Sequence, residues 1–255
     1  EARLLYGNVH LSMTHLDSSK MQYDYILQKD STNTGALIGL SKMNALLNNS
    51  RLADLYVSRA LLFDPHLAEA YFMRGIIFRS DYYRTNRQQD WDIALSSFQT
   101  AVEQDPNYYS AYIEMGVMYD QQGSRLAVES YNSAIEIEPK SGEAWYNLGM
   151  YYQVRDSVKL ALNAYRTITQ FDSTWADPYY NQGYIHLLKT KNLDSSIYYF
   201  TKATVLDPFY FQALNNLGLA YEEKGDIQNA KMYYGRAVDA NPDFQLAKDN
   251  LNRLQ

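Results

Sequence analysis

The chain is 255 residues long, holds no cysteine, and carries 23 Lys and Arg against 29 Asp and Glu, a formal net charge of −6. That length is ample for a stable core without covalent staples, and the missing thiols exclude disulfides, thiolate metal ligands and cysteine nucleophiles. The acidic balance has the wrong sign for a phosphate-binding surface, which argues against a nucleic-acid partner, and the apolar runs of a few residues fall far short of the ~20 that a membrane-spanning helix needs.

Proline and glycine punctuate the chain at a common interval. Pro65, Pro106, Pro139, Pro208 and Pro242 each follow an Asp, Glu or Asn. Gly7, Gly39, Gly75, Gly116, Gly149, Gly183 and Gly218 recur about every 34 residues, each inside an apolar-periodic segment. A mid-helix glycine costs about 1 kcal/mol of helix propensity, so its recurrence points to a packing requirement.

In chain order, unit 1–33 keeps Gly7, Ser19, Tyr23 and Ile26, and unit 34–67 keeps Gly39, Ala53, Val57, Ala60 and Pro65. Unit 68–108 has Tyr71, Gly75, Phe78, Ala94, Phe98, Ala101 and Pro106, with seven extra residues between Gly75 and Ala94. Unit 109–141 has Tyr112, Met115, Gly116, Tyr119, Ala127, Tyr131, Ala134 and Pro139, one residue short between its halves. Unit 142–175 follows with Trp145, Leu148, Gly149, Tyr152, Ala161 and Tyr165, then Ile168 and Ser173 where an Ala and a Pro are expected. Unit 176–210 has Tyr179, Gly183, Ser196, Phe200, Ala203 and Pro208, is one residue long, and puts His186 in the tyrosine slot. Unit 211–243 is the most regular, with Leu214, Leu217, Gly218, Tyr221, Ala230, Tyr234, Ala237 and Pro242. From 244 to 255, Phe244, Ala247, Leu251 and Leu254 fall at helical spacing and predict a capping helix.

These offsets resemble the tetratricopeptide repeat, whose 34-residue signature runs aromatic, Leu-Gly, Tyr, Ala, Phe, Ala, Pro. The resemblance covers the whole chain and implies an all-α fold: a right-handed α-solenoid superhelix of about seven helix-turn-helix repeats, forming one domain with the capping helix. In such repeats the Gly and Ala slots let two antiparallel helices approach while aromatics and Leu fill the flanking space. Proline biases the residue before it away from helix and ends the second helix.

Chemistry-bearing motifs are sparse. The four histidines, His10, His15, His66 and His186, form no His-x-x-x-His or HExxH pattern, and no phosphate-binding glycine loop occurs. Adjacent acids such as Glu222 and Glu223 point about 100° apart on a helix and do not converge. No catalytic site, cofactor or metal is expected.

The resemblance implies that the first helix of each repeat lines a concave groove that takes an extended peptide or a short helix. Its inward positions are Phe72 and Ile76, Ile113 and Val117, Tyr146 and Met150, Tyr180 and Tyr184, then Asn215 and Leu219. The clamp some family members use on chaperone tails needs a Lys and an Asn one turn apart, which Tyr146 with Met150 and Tyr180 with Tyr184 do not supply. Asn147, Asn181 and Asn216 share one repeat position; they either form an amide ladder for a peptide backbone or bond within the scaffold. The 25 tyrosines divide between core slots and a recognition surface, for which an apolar ring with a polar tip is well suited. The long third unit adds a second contact candidate in Arg79, Tyr82, Tyr83, Arg84, Arg87 and Trp91, read either as a basic aromatic protrusion or as a two-turn helix extension whose aromatics pack back.

The expected function is a non-catalytic scaffold that binds a protein or peptide. A Tyr-, Asn- and Ser-rich composition without Cys, the missing chaperone clamp, and a start at Leu4-Leu5-Tyr6 with no polar cap, as expected if an export or lipid-anchor segment has been removed, favour a bacterial cell-envelope component, a periplasmic or outer-membrane-associated lipoprotein, over a cytoplasmic one. The alternatives are a self-assembling solenoid that stacks through Leu4-Leu5-Tyr6 as a homo-oligomer, and a regulatory domain of a larger enzyme.

Overall fold

The computed structural model describes residues 1–254, and among them every regular element is helical. The helices are α1 (Ala2–Ser12), α2 (Leu16–Lys29), α3 (Thr34–Leu46), α4 (Ser50–Phe63), α5 (Ala68–Thr85), α6 (Gln88–Gln104), α7 (Tyr109–Gln121), α8 (Leu126–Ile137), α9 (Gly142–Val154), α10 (Val158–Phe171), α11 (Ala176–Ile185), α12 (Leu193–Leu206), α13 (Phe211–Glu223), α14 (Ile227–Ala240) and α15 (Gln245–Arg253). They belong to two compact units, one of residues Glu1–Ser133 and one from Ala134 onward. In the first unit α1 packs on α2, α3 on α4 and α5 on α6, and α2 and α4 each pack on the hairpin that follows. The second unit repeats the scheme with α9 on α10, α11 on α12 and α13 on α14, closed by α15 on α14.

The small-on-large contact expected from the spacing holds six of the seven hairpins. Phe98, Tyr131, Tyr165, Phe200 and Tyr234 are all buried on the second helices. Each lies against the glycine of its own first helix: a Cβ on Gly75 would sit 2.4 Å from the Phe98 ring, and one on Gly218 would sit 2.8 Å from Tyr234. Tyr23 is shared, meeting both Gly7 and Gly39.

That last contact corrects the assignment of Gly39. The hairpin tips fix the numbering, because each carries one residue in the left-handed region: Thr14, Asn48, Asn86, Gly123, Asp156, Lys191 and Gly225, with φ between 53° and 85°. Counted back from Asn48, the glycine slot of the second hairpin is Ser41, fully buried, and Gly39 lies two residues before it. A serine fits because the facing residue is Val57, not an aromatic ring.

Irregular lengths are absorbed at the ends of helices. The extra residue of unit 176–210 lies in a π turn, His186–Thr190, continuing α11, where the Asn192 N–H reaches back to the His186 carbonyl at 3.0 Å. The residue missing from unit 109–141 comes out of the first turn of its second helix. There the Ala127 N–H bonds three residues back to Ser124, whereas Ala53, Ala161 and Ala230 bond four back. The seven extra residues of unit 68–108 add four before Asn86 and three after it, about one turn to each of α5 and α6.

The second helices end in a common turn. Asp30, Asp64, Asp105, Asp172, Asp207 and Asn241 are extended, and each side chain accepts the N–H two residues on at 2.9–3.1 Å. Asp30 and Asp172 make it without a following proline, so the acid or amide carries the turn and proline reinforces it.

Candidate functional site

In the first unit the inner sides of α1, α3 and α5 enclose a cleft of about 590 Å³. Its wall is carbon, from Leu11 of α1, Ala45 and Leu46 of α3, and Phe72, Met73, Ile76 and Ile77 of α5. Leu11, Met73 and Ile77 are anchored in the core, whereas Phe72 and Ile76 are half-buried and Leu46 is 60% exposed. The Phe72 ring is held 5.0 Å from Tyr108 and 5.7 Å from Phe98. Tyr108 backs the Phe72 ring, and burial first, then the carboxylates of Glu69 and Asp105, push its hydroxyl up to about 12. Asn8, Ser12, Ser50 and Ser80 complete the lining, and Lys42 is the one charged residue in it, paired with Glu69 at 2.6 Å.

The predicted positions Phe72 and Ile76 therefore meet in a cleft that also draws on α1 and α3, which sequence reasoning left out. A signal for them existed in the apolar Leu11, Ala45 and Leu46, and the misplaced glycine of the second unit hid the register of α3 alone. Val117 is half-buried, whereas Ile113 is 4% exposed and faces the core.

In the second unit the predicted groove residues are turned toward one another. Tyr146 lies 4.9 Å from Trp175, and Tyr180 stacks on Tyr210 at 4.9 Å. Asp177 ties the row together, accepting from Trp175 Nε1 at 2.9 Å and from the Tyr210 hydroxyl at 2.7 Å. Burial is the main cause that raises the pKa of Tyr146, Tyr180 and Tyr210. Asn181 donates to the Tyr146 hydroxyl at 3.2 Å, and Asn216 donates to the Tyr180 hydroxyl at 3.2 Å. Asn250 donates to Asn215 Oδ1 at 3.0 Å, so the same position links three successive hairpins. The amide ladder is thus spent inside the scaffold at Asn181 and Asn216, and Asn181 and Asn215 are buried at 5% and 1% exposure. Asn147, Met150 and Tyr184 are half-buried, with Met150 Sδ 3.8 Å from the Asn181 amide.

The long third unit is not a basic protrusion. Arg79 pairs with Glu114, Arg84 with Asp81 and Arg87 with Asp90, which cancels its positive charge. Trp91 is 3% exposed and packs edge-on against Tyr82 at 4.8 Å. Of the three aromatics only Tyr83 stays exposed, its hydroxyl accepting from Gln121 at 2.6 Å, and the Arg84 and Arg87 side chains are 57% and 64% exposed. The extra turns bury Trp91 and half-bury Tyr82, as a helix extension does, and leave Tyr83 at the surface.

The histidines are engaged locally: His66 with Gln104 at 2.7 Å, His186 with Thr190 at 3.0 Å, and His10 in ring contact with Tyr6 and His15. Among the described residues no three His, Asp or Glu side chains are placed to hold a metal ion, and no helix is long and apolar enough to cross a membrane.

A tetratricopeptide-repeat family model matches residues 211–244. The chain is built of tetratricopeptide repeats. Solved structures of similar fold include MamA, at 25% identity and a TM-score of 0.58 over 66% of this chain and 94% of that one. The C-terminal part of a TPR repeat-containing protein from Cytophaga hutchinsonii is 14% identical, with a TM-score of 0.75 over 97% of this chain and 99% of that one. PilW, described as a type IV pilus biogenesis factor, is 18% identical, with a TM-score of 0.65 over 86% of this chain and 98% of that one. No curated protein sequence matches the chain. Tetratricopeptide repeats build protein-interaction scaffolds, and that is the coarse function of this fold.

Proposed function

We propose that the chain is a non-catalytic scaffold whose seven repeats and capping helix hold a protein or peptide segment, and that the α1–α3–α5 cleft is its principal contact. The observation that carries this reading is the cleft itself: an apolar concavity, within the ~300–1,000 Å³ usual for binding sites, whose wall stays half-open at Phe72, Ile76 and Leu46. Val117, Tyr146, Asn147, Met150, Tyr180, Tyr184 and Asn216 are secondary contacts, with the buried Ile113, Asn181 and Asn215 supporting them from beneath. Capture from the native cell's extract on wild-type chain and on a Leu46→Asp, Ile76→Ser variant of unchanged helicity tests the reading. Partners lost with the variant support it, and partners retained equally refute it.

A second reading has its own observation. Leu5, Tyr6 and Val9 are 66%, 55% and 42% exposed, whereas Leu40 and Met43, the equivalents of Tyr6 and Val9 in the next hairpin, are 1% and 4% exposed. That face favours self-association through α1, which light scattering over a concentration series tests. The cell-envelope assignment rests on composition and on the missing chaperone clamp; finding the protein in the cytoplasmic fraction of its native cell would refute it.

A further inference from the structure

The polar groups of the cleft stand around its carbon wall, and most are already engaged. Asn8 Oδ1 accepts from the Tyr23 hydroxyl at 2.7 Å, Ser12 donates to the Val9 carbonyl at 2.8 Å, and Ser50 donates to Asp81 at 2.6 Å. An extended peptide carries one N–H and one C=O per residue, and these must find partners when buried. Such partners come from a sheet edge or a row of side-chain amides. This cleft has neither, since Leu11, Ala45, Phe72, Met73, Ile76 and Ile77 form its wall. A helix brings its backbone bonds with it and can enter a carbon-walled cleft with nothing left unpaired.

Charge narrows the occupant further. On a chain of net charge −6, the single charged residue lining the cleft is a cation, Lys42. Its pairing with Glu69 is exposed by about two-fifths on both sides, at 41% and 42%. Exposed pairs of this kind hold weakly against water, so an incoming carboxylate can share or replace Glu69 at little cost.

We propose, resting on the scaffold reading above, that the occupant is a short amphipathic helix of a partner protein. Its apolar residues at i, i+3 or i+4, and i+7 lie against Phe72, Ile76 and Leu46, and an acidic residue on its flank reaches Lys42.

The test is a display selection of random peptides of about 16 residues, roughly four helical turns, on the immobilised full chain. The pool is counter-selected on folded Ile76→Asp and Leu46→Asp variants, the second altering a residue already exposed. The expected winners are proline-free, repeat apolar residues at helical spacing, carry an acid, and gain helicity on binding. Their affinity falls several-fold on Lys42→Glu and returns when the peptide acid is exchanged for lysine. Cleft-dependent winners that alternate apolar residues or are proline-rich would overturn the helix while leaving the scaffold reading intact. Indifference to Lys42→Glu overturns the acidic flank. A pool from which counter-selection on the cleft variants removes every binder, or no binders at all, overturns both the occupant and the cleft.

Discussion

Two serines occupy the slot where the other repeats carry alanine, and the structure gives them opposite roles. Ser19 and Ser196 are both fully buried, at the position held elsewhere by Ala53, Ala94, Ala127, Ala161 and Ala230. Ser19 donates to the Gly7 carbonyl at 2.9 Å, whereas Ser196 Oγ has no hydrogen-bond partner. An unpaired buried hydroxyl costs ~1–3 kcal/mol, and a satisfied one contributes a net ~0.5–1.5 kcal/mol. Replacing serine with alanine in a helix adds at most ~0.7 kcal/mol of propensity in either case. Ser196→Ala should therefore stabilise the α11–α12 hairpin by roughly 1–2 kcal/mol, while Ser19→Ala should be neutral or cost up to about 1 kcal/mol. Because repeats can unfold locally, urea unfolding is paired with amide hydrogen exchange, which assigns the change to a hairpin. Equal shifts for the two variants would refute the reasoning, since propensity alone predicts the same gain at both sites.

Gly75→Ala places a methyl 2.4 Å from the Phe98 ring and should destabilise by ~1–3 kcal/mol, with recovery in a Gly75→Ala, Phe98→Val double variant that copies the Ser41 and Val57 pair; urea midpoints check both. Lys191→Gly removes a side chain from a left-handed position with φ of 53° and should raise stability by about 0.5–1 kcal/mol in the same assay. Arg253 first, and then the Tyr234 hydroxyl, hold the Glu222 carboxyl below its ordinary value of 4.5. Its contribution is thus present above that value and lost as pH falls through the lower folded value, so acid should speed exchange of α15 amides in wild type and not in Glu222→Gln.

Much of the fold was legible because close approach of two helices leaves few residue choices. Glycine opposite an aromatic and alanine one turn away are steric necessities, and they recur in the sequence as such. The second unit misled because its slot is filled by Ser41 opposite Val57, a compensated pair that keeps the packing and erases the letter, while Gly39 answers to a different ring. The asparagines were visible but their direction was not: only the geometry reveals that the Tyr146 and Tyr180 hydroxyls take up the amides of Asn181 and Asn216. Of the acids that neutralise the third unit's arginines, only Glu114 arrives from another hairpin; Asp81 and Asp90 stand three residues from Arg84 and Arg87 and were legible as local partners. The cleft was partly legible: its α5 wall follows from register, its α1 wall was open to the same reading through Gly7, and its α3 wall required the true slot in the second hairpin.

The arithmetic at the hairpin tips bears on how such a chain can lengthen. Four residues before Asn86 and three after it each amount to about one helical turn, so every side chain beyond the joint still faces the neighbour it faced before. A single added residue has no such phase-preserving option, and at His186–Thr190 it widens one turn of the helix. The tips therefore act as a vernier with two settings: whole turns pass silently into longer arms, and fractions of a turn are stored where they occur. Grafted segments that extend both arms of a hairpin by whole turns should leave the remaining repeats in place, and α5 and α6 already carry one such graft.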